Sequence, residues 1–387
     1  MIYLDNAATT MQKPETVVHA VTEALTSLGN AGRGAHAGAT GAARIIFETR
    51  KRAAAFFCAK DPARVAFTAN VTEALNIAIK GLLSPGDRVI TTALDHNSVL
   101  RPLYEMEERG VSLTVLPADE KGNISCEELE RELGRGAKAV ICTGASNVTG
   151  NLQDIRRIGA LAHAQDALFV LDAAQAAGCH PLSMEEDGID ILCFTGHKGL
   201  YGPQGTGGLI VREGLTLRPL KTGGSGVQTF SRTHPADMPT ALEAGTLNAH
   251  GLAGLSAAFA FLEETGVTRI REKELSLAKR FYEGVRSLPG VRLYGDFSDW
   301  RKRCPIVALN LGEEDAAYVS DVLATKYGIA TRPGAHCAPL MHEHFGTREQ
   351  GIVRFSFSYF NTEEETDTAA KALREIASVK FYSEMEK

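Results

Sequence analysis

The sequence predicts an α/β fold in which helices cover both faces of a mostly parallel β-sheet. Between residues 64 and 212, short apolar runs alternate with amphipathic stretches. Such alternation favours a parallel sheet, and ligands bind such sheets at the carboxyl ends of the strands. Five polar residues lie at the ends of predicted strands, namely Asn70, His96, Asn147, Asp172 and Lys198. We therefore expect these residues to form one site.

The elements of this region follow from the apolar periodicity. Strands are predicted at 64–68, 87–92, 111–116, 137–143, 168–171, 191–195 and 207–212, and helices at 72–83 and 155–165. Three of these strands end just before His96, Asp172 and Lys198.

After about residue 255 the pattern changes to that of a smaller α+β domain. Helices are predicted at 275–288, 315–327 and 363–376, and strands at 305–311 and 352–357. Residues Thr362 to Glu365 have the form of a capping box that would begin the last helix. We predict a large domain of residues 16–255 and a small domain of residues 1–15 and 256–387.

Composition excludes several classes of protein. The 387 residues suffice for two or three domains, and 44% of them are hydrophobic, as in ordinary globular proteins. The net charge is −6 and basic residues are scattered, which argues against a nucleic-acid partner. No apolar run is long enough to span a membrane, and the N-terminus does not resemble a signal peptide. The seven cysteines form no C-x-x-C pair, which favours reduced thiols in a cytoplasm and predicts no metal site.

Asp172 and Lys198 together indicate a pyridoxal phosphate (PLP) site. A carboxylate at the end of a buried strand needs a positive partner, and a protonated pyridine nitrogen is such a partner. A lysine in a partly apolar pocket has a lowered pKa and can form a Schiff base. Gln175 could bind the phenolic oxygen of the ring. Taken singly, the Asp is as easily a turn or cap residue, and the Lys part of a surface loop.

Other residues would complete such a site. Thr72 opens a helix whose free N–H groups could bind a phosphate, although plain N-capping is the alternative. Thr195 could add a second hydroxyl. His96 could stack on a flat cofactor and move protons, whereas an isolated histidine more often belongs to a loop.

Cys337 and Arg354 are candidates for contact with a substrate. Cys337 lies in a loop shaped by glycine and proline, with Arg332 and His336 close in sequence, and cations favour a thiolate. The other cysteines mostly lie inside apolar runs. Arg354 stands within an apolar strand and needs an anion, which could be a substrate carboxylate or an internal acid.

These residues belong to a set of motifs that resembles the class V aminotransferase superfamily and, within it, the cysteine desulfurases. The resemblance covers essentially the whole chain. The motifs are Tyr3–Thr10, Thr72-Glu73, Asp95-His96, Ser146–Gly150, Asp172–Gln175, Gly196–Lys198, Gly245-Thr246, His336–Ala338 and Arg354. Gly199 departs from the family pattern as an apparent insertion, and Asn70-Val71-Thr72 replaces a commoner glycine-containing turn.

The resemblance implies a PLP-dependent transferase of fold type I, with a mostly parallel seven-stranded sheet in the large domain. It also implies a homodimer with active sites at the subunit interface. Lys198 would carry PLP, Asp172 would pair with the ring nitrogen, His96 would stack on the ring, and Gln175 and Asn147 would flank the phenolic oxygen.

The phosphate and the substrate would be bound by further residues. Thr72, Thr195 and His197 would hold the phosphate, and Thr246 would contribute to the phosphate site of the neighbouring subunit. Arg354 would bind the substrate carboxylate, and Asn147 would be a second substrate-binding residue.

The implied reaction converts L-cysteine to L-alanine and leaves the sulfur on Cys337 as a persulfide, which an acceptor protein then receives. Selenocysteine lyase, C–S lyase and aminotransferase activities on the same scaffold are alternatives. A non-catalytic PLP-binding scaffold protein is a further alternative from a different class.

Overall fold

The computed structural model describes residues 1–31 and 34–385, which form three β-sheets and eleven α-helices. The strands are β1 (Ile2–Tyr3), β2 (Val65–Thr68), β3 (Arg88–Thr92), β4 (Ser112–Leu116), β5 (Ala139–Thr143), β6 (Leu168–Asp172), β7 (Ile191–Thr195), β8 (Gly207–Val211), β9 (Val291–Tyr294), β10 (Ile306–Leu311), β11 (Ile329–Ala330) and β12 (Val353–Ser356). The helices are α1 (Glu15–Ser27), α2 (Ala37–Phe56), α3 (Val71–Leu82), α4 (Asn97–Glu108), α5 (Cys126–Leu133), α6 (Ile155–His163), α7 (Ala249–Thr265), α8 (Val267–Val285), α9 (Ala316–Tyr327), α10 (Pro339–Phe345) and α11 (Glu363–Met385).

Seven strands form the large sheet, in the order β2-β8-β7-β6-β5-β3-β4. The pairs from β4/β3 to β6/β7 are parallel, whereas β8 is antiparallel to both β7 and β2. Asp172 at the end of β6 pairs with Thr143 on β5 and with Cys193 on β7, so the carboxyl ends of these strands lie side by side. The predicted seven-stranded, mostly parallel sheet is confirmed.

Both faces of this sheet are buried. Along β6, Phe169 and Leu171 belong to one hydrophobic cluster and Val170 to another. Successive side chains of a strand point to opposite faces, so each face packs against its own apolar layer. This explains why the strands read as continuous apolar runs in the sequence.

The smaller α+β part contains the antiparallel sheet β12-β10-β9. Its core joins Phe355 of β12 to side chains of three helices, among them Phe281 of α8, Leu323 of α9 and Leu373 of α11. The N-terminal strand β1 pairs in parallel with β11 and so contacts this part of the chain.

The predicted capping box begins α11. The hydroxyl of Thr362 accepts a hydrogen bond from the Glu365 backbone at 3.2 Å, and the Glu365 carboxylate accepts one from the Thr362 backbone at 3.1 Å. Both N–H groups would otherwise lack a helical partner.

Several helices had no counterpart in the predicted elements, notably α1, α2 and α7. Helix α8 begins at Val267, eight residues before its predicted start, because Gly266 ends α7 and α8 follows at once. Helix α7 crosses the predicted domain boundary at residue 255, and its residues Leu255, Phe259 and Leu262 belong to a core cluster of the large sheet. The division at 255 stays a prediction. In the part of the chain that the structure describes, no helix combines the length and apolar character that a transbilayer segment needs.

Candidate active site

One cavity of about 280 Å³ lies at the carboxyl ends of β5, β6 and β7. It gathers eight of the residues that the sequence singled out, namely Asn70, Thr72, His96, Asn147, Asp172, Gln175, His197 and Lys198. These residues come from different crossovers of the sheet, as expected for a ligand site of a parallel α/β fold.

Asp172 ends β6 and is 2% exposed. Burial raises the pKa of its carboxyl group, while a hydrogen bond from the Ala174 backbone at 2.9 Å and the charge of Lys198 oppose this rise. The bond from Ala174 occupies the Oδ1 atom, and no donor among residues 1–31 and 34–385 occupies Oδ2. A buried carboxylate with a free oxygen suits a cationic ligand group in the cavity.

Lys198 follows β7 on a turn fixed from two sides. Its carbonyl accepts hydrogen bonds from the Tyr201 backbone at 2.9 Å and from the hydroxyl of Thr10 at 3.3 Å. Burial lowers the pKa of its amine to about 8, although Asp172 acts in the opposite direction. The predicted reactive amine therefore titrates much closer to physiological pH than an ordinary lysine does.

Gly199, the apparent insertion after the lysine, lies where no side chain fits. A Cβ atom there would stand 2.5 Å from the Ala177 carbonyl oxygen and 2.9 Å from the Cys179 sulfur. Its own carbonyl lies 2.0 Å from the position that a Cβ on Gly178 would occupy. The two glycines allow the lysine turn to pack directly on the segment that follows Asp172.

His96 caps α4, and its hydrogen bonds with Ser98 determine which nitrogen of the neutral ring carries the proton. The backbone N–H of Ser98 donates to Nδ1 at 3.0 Å, and the Ser98 hydroxyl lies 2.9 Å from the same atom. Because a backbone N–H can only donate, the neutral ring carries its proton on Nε2. Burial, with the nearby charges of Lys198 and Arg332, lowers the pKa of His96 to about 4. The ring is thus uncharged at neutral pH.

Asp95 fixes the position of His96. Its Oδ2 atom accepts hydrogen bonds from Thr91 and Thr92, including the Thr92 backbone at 2.8 Å, and its Oδ1 atom accepts one from the Thr143 backbone at 2.7 Å. This side chain joins the ends of β3 and β5. Burial raises the pKa of Asp95 to about 7 despite these bonds.

The start of α3, which also lines the cavity, offers an anion site. Asn70 caps α3, with its side chain accepting from the Glu73 backbone at 3.0 Å, so Val71 and Thr72 occupy the first turn, where backbone N–H groups lack helical partners. The Thr72 hydroxyl lies 2.8 Å from that of Ser98. The Nδ1 atom of His197 is buried without a hydrogen-bond partner among the described residues.

Arg354 on β12 is 1% exposed and is held on two sides. It donates to the Asn147 carbonyl at 2.8 Å and to the Asp5 carboxylate at 3.0 Å. Burial lowers its pKa to about 10, so it stays charged at neutral pH. The internal acid that the sequence left open is therefore Asp5, and Asn147 links Arg354 to the cavity.

Cys337 lies on the loop between β11 and α10. It is one of two exposed cysteines among the seven, with Cys58, and all seven are free thiols. Its carbonyl accepts a hydrogen bond from the Asn97 backbone at 2.8 Å, next to His96. The Asn147 side chain donates to the His336 carbonyl at 2.7 Å. The cysteine loop is thus attached to two segments that line the cavity.

Comparison with known proteins agrees with this geometry. The family model described as aminotransferase class-V matches residues 2–368. The chain belongs to the class-V aminotransferase family. A probable cysteine desulfurase from Methanothermobacter thermautotrophicus is 35% identical to it over 385 residues, which cover 98% of this chain and 95% of that relative. A cysteine desulfurase from Klebsiella pneumoniae is 32% identical, with 97% and 93% covered.

Solved structures of the family have the same fold. A cysteine desulfurase from Thermococcus onnurineus superposes with a TM-score of 0.91 at 33% identity, covering 97% of this chain and 94% of that one. An Escherichia coli cysteine desulfurase gives a TM-score of 0.86 at 29% identity, with the same coverage. The predicted resemblance to class-V aminotransferases and cysteine desulfurases, the predicted fold class and the prediction of an enzyme are confirmed.

Four residues predicted from the family lie outside the cavity lining, namely Arg354 and Cys337, described above, and Thr195 and Thr246. Thr195 at the end of β7 directs its hydroxyl to the Thr206 carbonyl at 3.5 Å, so its part in phosphate binding stays a prediction. Thr246 lines a separate cavity of about 360 Å³, together with Gly224 to Gly226. It does not serve the Lys198 cavity of its own chain.

The sequence did not single out Asp5, Ser98 or Arg332 as site residues. Asp5 and Ser98 stand in or beside motifs that carry the family resemblance, which was the signal available. Arg332 was considered for its closeness in sequence to Cys337, whereas the structure pairs it with Arg354.

Proposed function

We propose that this protein is a PLP-dependent cysteine desulfurase that converts L-cysteine to L-alanine and transfers the sulfur to Cys337. The observation that carries the proposal is the arrangement of Lys198, Asp172 and His96 around one cavity to which the Cys337 loop is attached. The names of the relatives support the same activity.

The cavity fits the cofactor. Lys198 would bind its aldehyde, the free Oδ2 atom of Asp172 would face its ring nitrogen, and the neutral His96 ring would stack on it. Gln175 would approach the phenolic oxygen, although its amide now donates to the Ala7 carbonyl at 3.0 Å.

The phosphate would occupy the anion site at the start of α3. The unpartnered Nδ1 of His197 and the Thr72 hydroxyl suit its oxygens. When bound, PLP supplies an electron sink that weakens bonds at the substrate's α and β carbons.

The chain's own residues would then supply binding and proton transfer. Arg354 would bind the substrate carboxylate. The amine of Lys198, with a pKa of about 8, would take and return the proton at the α carbon. His96 presents an Nε2–H that could donate a proton near the departing sulfur.

The thiol of Cys337 would take the sulfur. Its Sγ atom attacks the substrate sulfur, the bond between that sulfur and the β carbon breaks, and the β carbon takes up a proton. One cysteine substrate and one enzyme thiol thus give alanine and one enzyme persulfide. The loop is exposed, so an acceptor protein could reach the persulfide.

The test is product analysis with L-cysteine under reducing conditions. Alanine and sulfide are expected in equal amounts from the wild type. Cys337→Ser should lose both, whereas Cys58→Ser, a substitution of the other exposed cysteine, should retain them. Equal alanine formation by Cys337→Ser would refute sulfur transfer through Cys337. Parallel assays with L-selenocysteine, L-cystine and a keto-acid acceptor separate the sister activities.

A homodimer and a reducing compartment such as the cytoplasm complete the proposal. Thr246 and Gly245 line a cavity apart from Lys198, which supports a role at the phosphate of a neighbouring subunit. Seven free thiols support a reducing environment. Light scattering of the purified protein tests the dimer, and a monomeric mass would contradict it.

A further inference from the structure

Two arginines face each other beside the active site. The backbone N–H of Arg332 donates to the Arg354 carbonyl at 3.2 Å, and the N–H of Arg354 donates to the Arg332 carbonyl at 2.9 Å. Residues that exchange both bonds in this way are directly opposite in an antiparallel pair, so their side chains leave the same face. The two arginine side chains therefore leave the backbone at neighbouring positions.

Their surroundings differ. Arg354 is neutralised by Asp5 and also donates to the Asn147 carbonyl. Arg332 is half-buried, and its guanidinium makes no hydrogen bond or ion pair within the part of the chain that the structure describes. Like charges directly opposite each other are unfavourable. An unpaired arginine beside a buried one thus calls for an anion.

The charge of Arg332 reaches the site itself. Besides burial, it contributes to the lowered pKa of both His96 and Lys198. These two residues line the cavity, so the charge of Arg332 acts on groups of the site.

The charges of Arg332, Arg354 and Asp5 would be balanced by one monovalent anion. Arg332 and Arg354 carry two positive charges and Asp5 carries one negative charge, which leaves one positive charge uncompensated. A single carboxylate would balance it. The phosphate-binding groups lie at the start of α3, on a different element from these arginines.

We propose that Arg332 is a second substrate-binding arginine, which holds the α-carboxylate of the amino acid together with Arg354. This inference rests on the proposed function. Arg354, fixed by Asp5 and Asn147, forms the rigid side of the clamp. Arg332 forms the other side and has no partner until the substrate binds. Because Arg332 lies five residues before Cys337, the residue that binds the carboxylate and the cysteine belong to the same loop region.

The experiment compares Arg332→Gln and Arg332→Lys holoenzymes with the wild type. Arg286→Gln is the matched control, because Arg286 is exposed directly after the end of α8 and pairs with Glu283. Steady-state kinetics are measured with L-cysteine and with L-cysteinamide, which lacks the carboxylate charge. Calorimetry measures the binding of 3-mercaptopropionate, a thiol carboxylate that has no amino group and cannot turn over.

Arg332→Gln should raise KM for L-cysteine about tenfold or more and change kcat much less, because charge-assisted hydrogen bonds to the carboxylate are lost. Preference for L-cysteine over L-cysteinamide should fall by a similar factor. The Kd of 3-mercaptopropionate should rise in parallel, and Arg332→Lys should restore part of each effect.

A KM and a Kd within about twofold of the wild-type values in Arg332→Gln would overturn the inference. So would an equal loss with L-cysteine and L-cysteinamide, which would indicate a structural role. If the wild type forms no alanine from L-cysteine, the proposed function fails, but the calorimetric comparison still decides whether Arg332 binds a carboxylate.

Discussion

In protein freed of cofactor, Lys198 is expected to react with amine reagents at far lower pH than an ordinary lysine. Burial lowers its pKa from 10.5 to about 8. Only the neutral amine reacts, and the neutral fraction rises with pH through the pKa. At a pH of about 8, roughly half of such amines are neutral, compared with about 0.3% of amines with the ordinary pKa. The expected gain in reactive fraction is therefore on the order of a hundredfold.

The measurement is brief acetylation over a pH series, followed by peptide mass spectrometry. Lys279, which is exposed on α8, serves as the reference within the same digest. Asp172→Asn provides the second perturbation. Because the Asp172 charge raises the pKa of Lys198, its removal should move the labelling midpoint to lower pH.

A midpoint close to 10.5 for Lys198 would show that burial does not depress its pKa, and the argument for a reactive amine would fail. A shift to higher pH in Asp172→Asn would contradict the assigned electrostatic contact between the two side chains. Either result can be obtained without any turnover by the enzyme.

Three further substitutions test the surroundings of the site by urea unfolding. Gly199→Ala should lose about 1–3 kcal/mol through overpacking, whereas Gly223→Ala, which has open space, should not. Asp95→Asn should lose about 1–3 kcal/mol of stability, because the new NH2 group is a donor and must face a backbone N–H donor such as that of Thr143. An unchanged stability would contradict the assigned hydrogen bonds. Burial raises the folded-state pKa of Glu274 to about 7, so Glu274 should contribute a loss of stability, at most about 3 kcal/mol, as pH rises from about 4.5 to about 7. Glu274→Gln should remove this contribution and leave that of Asp95, whose pKa is also about 7, and an unchanged pH dependence would refute the assignment.

The sequence predicted the strands better than the helices, for a physical reason. Strands buried on both faces are short continuous apolar runs with clear ends. Helix α2 has no such signal, because most of its buried side chains are small, such as Ala39, Ala42 and Ala53. Helix α7 is apolar on most of its surface and so lacks a marked periodicity. Both pack closely with other helices, and that packing is a tertiary property.

Most of the candidate site was predictable, because polar residues at the ends of apolar strands are conspicuous. The partners of those residues were not. Asp5 and Arg354 are 349 positions apart, and a backbone bridge between Asp5 and Ser356 brings the N-terminal segment next to β12. The position of Arg332 opposite Arg354 likewise follows only from the antiparallel pairing of their backbones.

The N-terminal segment connects the two halves of the site. The Thr10 backbone donates to the His197 carbonyl at 3.0 Å, and its hydroxyl contacts the carbonyl of Lys198, so one end of the segment holds the lysine turn. At the other end Asp5 holds Arg354. The lysine turn follows a strand of the large sheet and Arg354 lies on the small sheet, so this segment links the two sheets, as does the hydrogen bond from Arg354 to the Asn147 carbonyl. Residues that supply neither the amine nor the guanidinium therefore help to hold both groups in place.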